Sequence, residues 1–482
     1  MSQMRFYRTV VWGVLRTAVA IAVGVAICAA PNAARAQCDV KLSPNTLKAT
    51  GSVCGTNGCR FGYAVAISGD GNTAMIGAYT DSGGLGGVYA FVRNGNEWVQ
   101  QGARLTFAGG SGPVQYIGSA IALSNDGNTA IIGAYGDTTS RGAAYVYVRS
   151  GGVWSQQGPK LTPTGGIGAA QFFGFSVAIS ANGNTAIVGA HGDAGYVGAA
   201  HVFVRNGTTW TEQTPKLVPV GGVGPVQWFG SSVALTADGN GALVGAERDN
   251  YDLGAAYWYT RTGTTWAFTG TKILPADPAG TPLYFGAAAA LSADGTTGAI
   301  SSFADNGFVG SVHVFTRNGA TWTQQGPKLV PTGNTGSGRL GSSIALSAAG
   351  DVLLAGARAD NGYVGGAHVF RRTAGTWSQR GTKMAPAGAD AGEFGTCVSI
   401  SADGSRGMVG SPATASQAGS SFAIGPRCPA DWDCNGVQTT NDLFAFVGDW
   451  LAGVPRGDYN NTNGFTTADV LAFLLDWFAQ CP

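Results

Sequence analysis

The dipeptide Phe-Gly or a close variant recurs at Phe61-Gly62, Ile117-Gly118, Phe173-Gly174, Phe229-Gly230, Phe285-Gly286, Leu340-Gly341 and Phe394-Gly395, spaced 56, 56, 56, 56, 55 and 54 residues apart. A unit of this length cannot bury an apolar face alone, so the copies must pack on one another, in an open stack or a closed ring. What occurs in every copy is scaffold first. Recognition is to be sought where the copies differ.

One copy shows the local structure. From Phe173, the run FGFSVAIS alternates apolar with small or polar residues, Asn182-Gly183 marks a tight turn, and NTAIVGA is a second apolar strand. The turn recurs as Asp70-Gly71, Asp126-Gly127, Asp238-Gly239, Asp294-Gly295 and Asp403-Gly404, dipeptides suited to the positive φ angles of two-residue hairpins. A loop with Asp193, the strand GAAHVFVR, a turn at Asn206-Gly207 and a segment from Trp210 to Leu217 complete four antiparallel strands. That is the layout of a propeller blade, and a composition with 78 glycines and only 11% charged residues suits it.

The fourth strand ends in Arg104-Leu105, Lys160-Leu161, Lys216-Leu217, Lys272-Ile273, Lys328-Leu329 and Lys383-Met384, whereas the seventh copy stops near Ile424. Lys41-Leu42 carries the same pattern ahead of the first copy. The sequence therefore predicts an all-β fold over residues 37–427, a seven-bladed β-propeller closed by an N-terminal strand.

Residues 1–36 read as a signal peptide: Arg5, Arg8 and Arg16 precede an uncharged apolar stretch from Thr17 to Ala30, and Ala34-Arg35-Ala36 offers a cleavage site. The expected location is secreted or cell-surface, with no membrane span in the mature chain. Removing these residues takes away four arginines and no acids, leaving 24 basic against 27 acidic side chains. Nothing forms a basic stripe, so nucleic acid is not an expected partner. Export makes disulfides the default for cysteine, and spacing suggests Cys54 with Cys59, Cys434 with Cys481 and Cys38 with Cys428, with Cys428–Cys481 as the rival. Cys397, in an apolar strand, is left as a buried free thiol.

The Phe-Gly starts, together with Gly77-Ala78, Gly133-Ala134, Gly189-Ala190, Gly245-Ala246, Gly356-Ala357 and Gly410-Ser411-Pro412, resemble the FG-GAP repeats of integrin-α-type seven-bladed propellers. The resemblance implies partner binding on the ring face made by the connectors between blades and the loops between second and third strands. Integrin-type blades often hold calcium in an extended loop between first and second strands. Here that loop is a tight turn, so no cofactor is expected in the propeller.

On that face the residue after each Gly-Ala pair varies as Tyr79, Tyr135, His191, Glu247, Phe303, Arg358 and Pro412, while Asp81, Asp137, Asp193, Asp249, Asp305 and Asp360 hold constant. The constant Asp is read as structural, an Asx-type turn. Tyr116, Phe172, Trp228 and Tyr284, each one residue before its Phe-Gly or Ile-Gly, should lie beside the variable set. With Gln115, Gln171 and Gln227 they suit stacking on a sugar or gripping a peptide, although packing between blades explains them equally well. The expected ligand face is Tyr79, Tyr135, His191, Glu247, Arg358, Tyr116, Trp228 and Tyr284, with a protein or glycan as ligand. His201, His313 and His368 take the third-strand position held by Tyr89, Tyr145, Tyr257 and Phe422 in other blades and read as packing residues. No catalytic constellation is recognisable, though Glu247 and Glu393 leave a carboxylate pair for glycoside hydrolysis open. Arg and Trp of each outer hairpin, such as Arg205 with Trp210, read as stacking pairs.

Residues 428–482 carry a separate 27-residue duplication that matches Asp431 with Asp458, Asp442 with Asp469, Phe446 with Phe473 and Trp450 with Trp477. Asp431, Asp433, Asn435, Val437 and Asp442 occupy positions 1, 3, 5, 7 and 12 of a loop that resembles an EF-hand calcium loop, Val437 through its carbonyl. Asp458, Asn460, Thr462 and Asp469 repeat it, with the glycine one residue late. Each loop leads into an apolar helix, Asp442 to Leu451 and Asp469 to Ala479. This small α-helical module resembles a dockerin, close to the C-terminal modules of planctomycete-type secreted proteins. The resemblance implies bound Ca2+ and docking to a cohesin-like partner through Thr440, Asn441, Thr467 and Ala468. The whole reads as a non-catalytic secreted binding protein, with an extracellular carbohydrate-active enzyme or a structural envelope protein as alternatives.

Overall fold

The computed structural model describes residues 41–54, 58–94, 97–386, 392–414, 418–425, 440–451 and 467–478. The chain divides into two compact units, Asp39–Pro426 and a second made of Met1–Cys38 with Arg427–Pro482. The first is a seven-bladed β-propeller of four-stranded sheets. In blade 3 the strands are Ser176–Ile179, Thr185–Ala190, Ala199–Asn206 and Thr209–Leu217. The second strand is buried at every position because sheets cover both its faces, whereas the fourth strand alternates with solvent. In blade 7 the outer strand is Lys41–Leu47, antiparallel to Ser420–Gly425, with Lys41 opposite Gly425 and Thr46 opposite Phe422.

The repeated Phe-Gly has two separable jobs. Phe173 is fully buried between blades, against Ile131 and Val146 of blade 2 and Val188 and Phe203 of blade 3. Burying one such ring contributes about 1.5–3 kcal/mol, and five of the seven junctions carry it, with Ile117 and Leu340 in its place at the other two. The glycine after the Phe meets the glycine of the Gly-Ala pair in the preceding blade: a Cβ on Gly189 would lie 2.0 Å from the carbonyl oxygen of Gly230, which follows Phe229 in the next blade. Gly77 with Gly118, Gly133 with Gly174, Gly245 with Gly286, Gly356 with Gly395 and Gly410 with Gly62 repeat this approach. The two glycines of the motif therefore belong to one contact. At the junction of blades 5 and 6, Ser301 stands opposite Gly341 instead.

Two circuits run around the ring. Parallel bridges join each blade to the next, from Gly86 with Ile117 through Gly365 with Phe394 to Gly419 with Phe61. Beside the inner hairpin turns, the amides of Gly69, Asn125, Ala181, Ala237, Ala293, Ala348 and Ala402 each donate to the carbonyl of the next residue in this series, and Ala402 donates back to Gly69, all at 2.8–3.0 Å.

After each of the first six second strands comes a one-turn helix opened by the constant Asp, such as Asp193–Tyr196, whose inner residues Ala194 and Gly195 have left-handed φ of 51° and 70°. In the second unit, α1 spans Thr440–Leu451 and α2 spans Thr467–Phe478, each starting two residues before the sequence pattern suggested. Phe446 and Phe473, equivalent in the duplication, stack with ring centroids 4.1 Å apart. Among the described residues no helix is long and apolar enough to cross a membrane.

Candidate functional site

The constant aspartates are a correction to the Asx-turn reading. Asp81, Asp137, Asp193, Asp249, Asp305 and Asp360 are completely buried and act as hubs. Asp193 accepts from the Ile167 amide at 3.2 Å and from Lys216 at 2.8 Å, so it ties the incoming connector to the end of the fourth strand. The same pairing joins Lys160 to Asp137 at 2.6 Å, Lys328 to Asp305 at 2.7 Å and Lys383 to Asp360 at 2.5 Å. From the third strand, the Tyr145 hydroxyl donates to Asp137, while in blade 3 His201 lies between Glu212, at 2.7 Å, and Asp193, at 3.8 Å. Burial pushes Asp193 upward, but hydrogen bonds from His201, Lys216 and the Ile167 amide outweigh it and hold the carboxyl below the usual range. Burial likewise disfavours charge on His201, yet the two carboxylates raise it above an ordinary histidine. These buried clusters of paired charges are framework.

The ligand-face residues come together as an interdigitated arc. Tyr79 lies 5.5 Å from Tyr116, Tyr116 lies 5.0 Å from Tyr135, Phe172 stacks on His191 at 5.0 Å, and His191 lies 5.0 Å from Trp228. Arg248 covers Trp228 at 4.3 Å and reaches Tyr284 at 5.5 Å, and Tyr284 stacks on Phe303 at 5.0 Å. Each connector residue is held at left-handed φ, 53–56° for Tyr116, Phe172, Trp228 and Tyr284, which aims its ring over the neighbouring loop. At the same position Arg60, Arg339 and Glu393 give the rest of the ring a charged character, with Arg60 and Glu393 3.7 Å apart. The face is thus aromatic on one side and charged on the other.

Not every expected residue is available. Gln171 and Gln227 are buried and donate to Gly168 and Gly224 carbonyls, holding the connectors together. His191 is only 5% exposed, and burial among the rings lowers its pKa to about 4, so it is neutral at neutral pH. Glu247 is half-buried, and burial of its carboxyl pushes its pKa up to about 7 against the opposing pull of Arg248 and Arg358. Glu393 instead sits with Arg60 and Tyr79, so the two glutamates belong to different surroundings.

Inside the arc lies an axial cavity of about 310 Å³ to which all seven blades contribute. Its mouth is set by Tyr63, Tyr135, Phe175 and Arg358 and its wall by small residues such as Ser231, Ser342 and Thr396. Tyr63 and Phe175 escaped the sequence reading although the signal was present: the residue after each Phe-Gly or its variant also varies, from Tyr63 through Ser119, Phe175, Ser231, Ala287 and Ser342 to Thr396. Tyr63 packs on Tyr79 at 4.1 Å and Phe175 on His191 at 4.3 Å, which joins the cavity mouth to the arc. Cys397 is a free thiol, half-buried on the cavity wall rather than sealed in the core.

The Cys54–Cys59 disulfide is present. Cys38, Cys428, Cys434 and Cys481 lie outside the described residues, as do Asp431, Asp433, Asn435, Val437, Asp458, Asn460 and Thr462. Asp442 and Asp469 fall in the first turns of α1 and α2, and Thr440, Asn441, Thr467 and Ala468 open those helices. The outer Arg-Trp pairs stack, with Arg205 5.7 Å from the Trp210 ring and Arg372 5.7 Å from Trp377.

A family model described as FG-GAP repeat matches residues 154–203, which span the last strand of blade 2 and most of blade 3. The fold makes the first unit a seven-bladed β-propeller, and its residues 154–203 are similar to the FG-GAP repeat. No curated protein sequence matches the chain. Among solved structures, the chain is similar to the periplasmic gluconolactonase PpgL of Pseudomonas aeruginosa, with 16% sequence identity and a TM-score of 0.47 over 67% of this chain and 85% of that one.

Proposed function

We propose that this is a secreted or cell-surface, non-catalytic binding protein whose propeller face recognises a glycan and whose C-terminal residues 428–482 form a dockerin-like module. In this reading the module takes Ca2+ through Asp431, Asp433, Asn435, Val437 and Asp442, with Asp458, Asn460, Thr462 and Asp469 as the second set, and docks to a cohesin-like partner. The observation that carries the propeller half is the arc of aromatic rings built from positions that vary on a constant frame. Half-exposed Tyr and Trp rings offer flat apolar area at low entropic cost, which suits sugar faces. The Cys54–Cys59 disulfide supports an oxidising compartment.

The test is glycan-array binding and turnover measured on the full mature chain, with Tyr116→Ala and Trp228→Ala beside the wild type. Binding without turnover, weakened at least tenfold in both variants, supports the reading. Hydrolysis abolished by Glu247→Gln or Glu393→Gln would instead establish a carbohydrate-active enzyme. For the module, capture of one secreted protein by the full chain should disappear when calcium is chelated; chelator-insensitive capture would reject the docking assignment.

A further inference from the structure

The arginines of the face are unevenly committed. Arg60 pairs with Glu393, Arg248 pairs with Asp252 at 3.4 Å and covers Trp228, and Arg339 lies over Phe308 and Tyr363. Arg358 is different: it is half-buried at the cavity mouth, the sole charged residue lining that space, and makes no hydrogen bond or ion pair with any described residue. Glu247 is within its electrostatic reach but is itself held back from ionising by burial. A second group is also unsatisfied. Ser231, 6% exposed and lining the same cavity, has a buried hydroxyl without a partner. A buried hydroxyl and a half-desolvated guanidinium left unpaired both cost free energy that a ligand acceptor would recover.

The geometry points to a carboxylate-bearing sugar, a uronic acid residue of an acidic glycan, as the ligand of the axial cavity, with Arg358 binding the carboxylate, Ser231 donating to a ring oxygen or hydroxyl, and Tyr63, Tyr135 and Phe175 bracketing the sugar. This rests on the glycan reading above and adds its charge and its point of entry. A volume of about 310 Å³ lies at the low end of ligand pockets and admits one ring rather than a folded chain. A guanidinium matches a carboxylate in a planar, two-point fashion. A dianion is disfavoured, because Arg358 is the one charged side chain that lines the cavity and a second negative charge would find no further lining cation. A peptide is the weaker fit: strand addition needs an accessible sheet edge, and the first strands, which form the inner sheet edges, pack on the first strands of the adjacent blades around a space of about 310 Å³.

Calorimetric titration of the full mature chain with tri-galacturonate, with neutral galactotriose and with a peptide ending in a free carboxylate tests this, using wild type, Arg358→Gln, Arg358→Lys and Trp228→Ala. Wild type should bind the uronate at least tenfold more tightly than the neutral sugar. Arg358→Gln should remove that preference while retaining neutral-sugar binding, which also shows that the variant is folded, and Arg358→Lys should keep part of it. Trp228→Ala should weaken both sugars alike. Equal binding of the two sugars by wild type, or an unchanged preference in Arg358→Gln, overturns the uronate assignment and leaves the glycan reading standing. Tighter binding of the peptide, or no sugar bound at all, overturns both.

Discussion

Replacing Gly189 by Ala is expected to strain the junction between blades 3 and 4. The new Cβ would lie 2.0 Å from the Gly230 carbonyl oxygen and 2.3 Å from the Ser176 hydroxyl oxygen. Carbon and oxygen sit comfortably at about 3.3–3.6 Å, so the junction must open by more than about 1 Å. The obstacle is backbone and cannot rotate away. The Ser176 hydroxyl, which donates to that carbonyl at 2.8 Å, would be displaced as well. Overpacking costs about 1–3 kcal/mol and a lost hydrogen bond about 1 kcal/mol, giving a loss of about 3 kcal/mol and a fall in midpoint of roughly 5 °C. Gly366→Ala is the control: its Cβ would meet the flexible Lys383 side chain at 3.0 Å and the Asp360 carboxylate at 3.1 Å, and blades 2, 3 and 4 already carry Ala143, Ala199 and Ala255 beside their equivalent aspartates. It should stay within about 1 kcal/mol of wild type. Thermal and guanidinium unfolding followed by tryptophan fluorescence compares them. Equal midpoints for both variants would refute the claim that the paired glycines exist for contact between blades.

Four further outcomes are expected. Asp137→Ala strips Lys160 and Tyr145 of their shared acceptor and should cost about 3 kcal/mol, the lower end for a buried pair because Lys160 is 17% exposed; denaturant titration reads it, and a loss below about 1 kcal/mol would deny the hub role. Glu247 keeps its proton up to about pH 7 in the fold but only to about 4.5 when unfolded, so the unfolded chain binds fewer protons between those values and stability falls as pH rises from about 4.5 to 7, then levels. Glu247→Gln should remove that decline and leave the protein about 2–3 kcal/mol more stable at pH 8, and parallel pH profiles of the two proteins would reject the assignment. A mature chain beginning at residue 50 loses the outer strand of blade 7 and exposes the Ser420–Gly425 edge, so its midpoint should drop and aggregation increase; an unchanged melt would deny the N-terminal strand a closing role. Calcium chelation should reduce the helical circular-dichroism signal of α1 and α2, 12 residues each, and an unaltered spectrum would argue against Ca2+ in the loops before them.

Blade number, strand count and hairpin positions were legible because each depends on spacing alone. The Asp-Gly and Asn-Gly turns could be read from backbone preference without reference to a neighbour. The aspartate hubs are half legible: constancy marks Asp137 and Asp193 as framework, but the loop geometry that joins each to a lysine 23 residues on is not in the pattern. The aromatic arc was found by comparing copies, but Gln171 and Gln227 were misjudged because side-chain direction on a left-handed connector does not follow strand alternation. Tyr63 and Phe175 are marked by their variability along the repeat, but their meeting at one cavity and the isolation of Arg358 emerge only when seven blades converge on one axis. That convergence is a property of the closed ring, not of any copy.

The belt of amides beside the inner turns has no first or last member. A nascent chain with six blades complete still presents an unsatisfied donor at one end and an unsatisfied acceptor at the other, and the final blade answers both at once. Partial assemblies therefore gain little from this belt until the last blade docks, which favours all-or-none maturation. An eighth copy inserted by duplication would have to alter the angle at every existing junction. Sequence drift on the rim, by contrast, leaves that arithmetic untouched, so the surface is free to change its ligand while the count stays fixed.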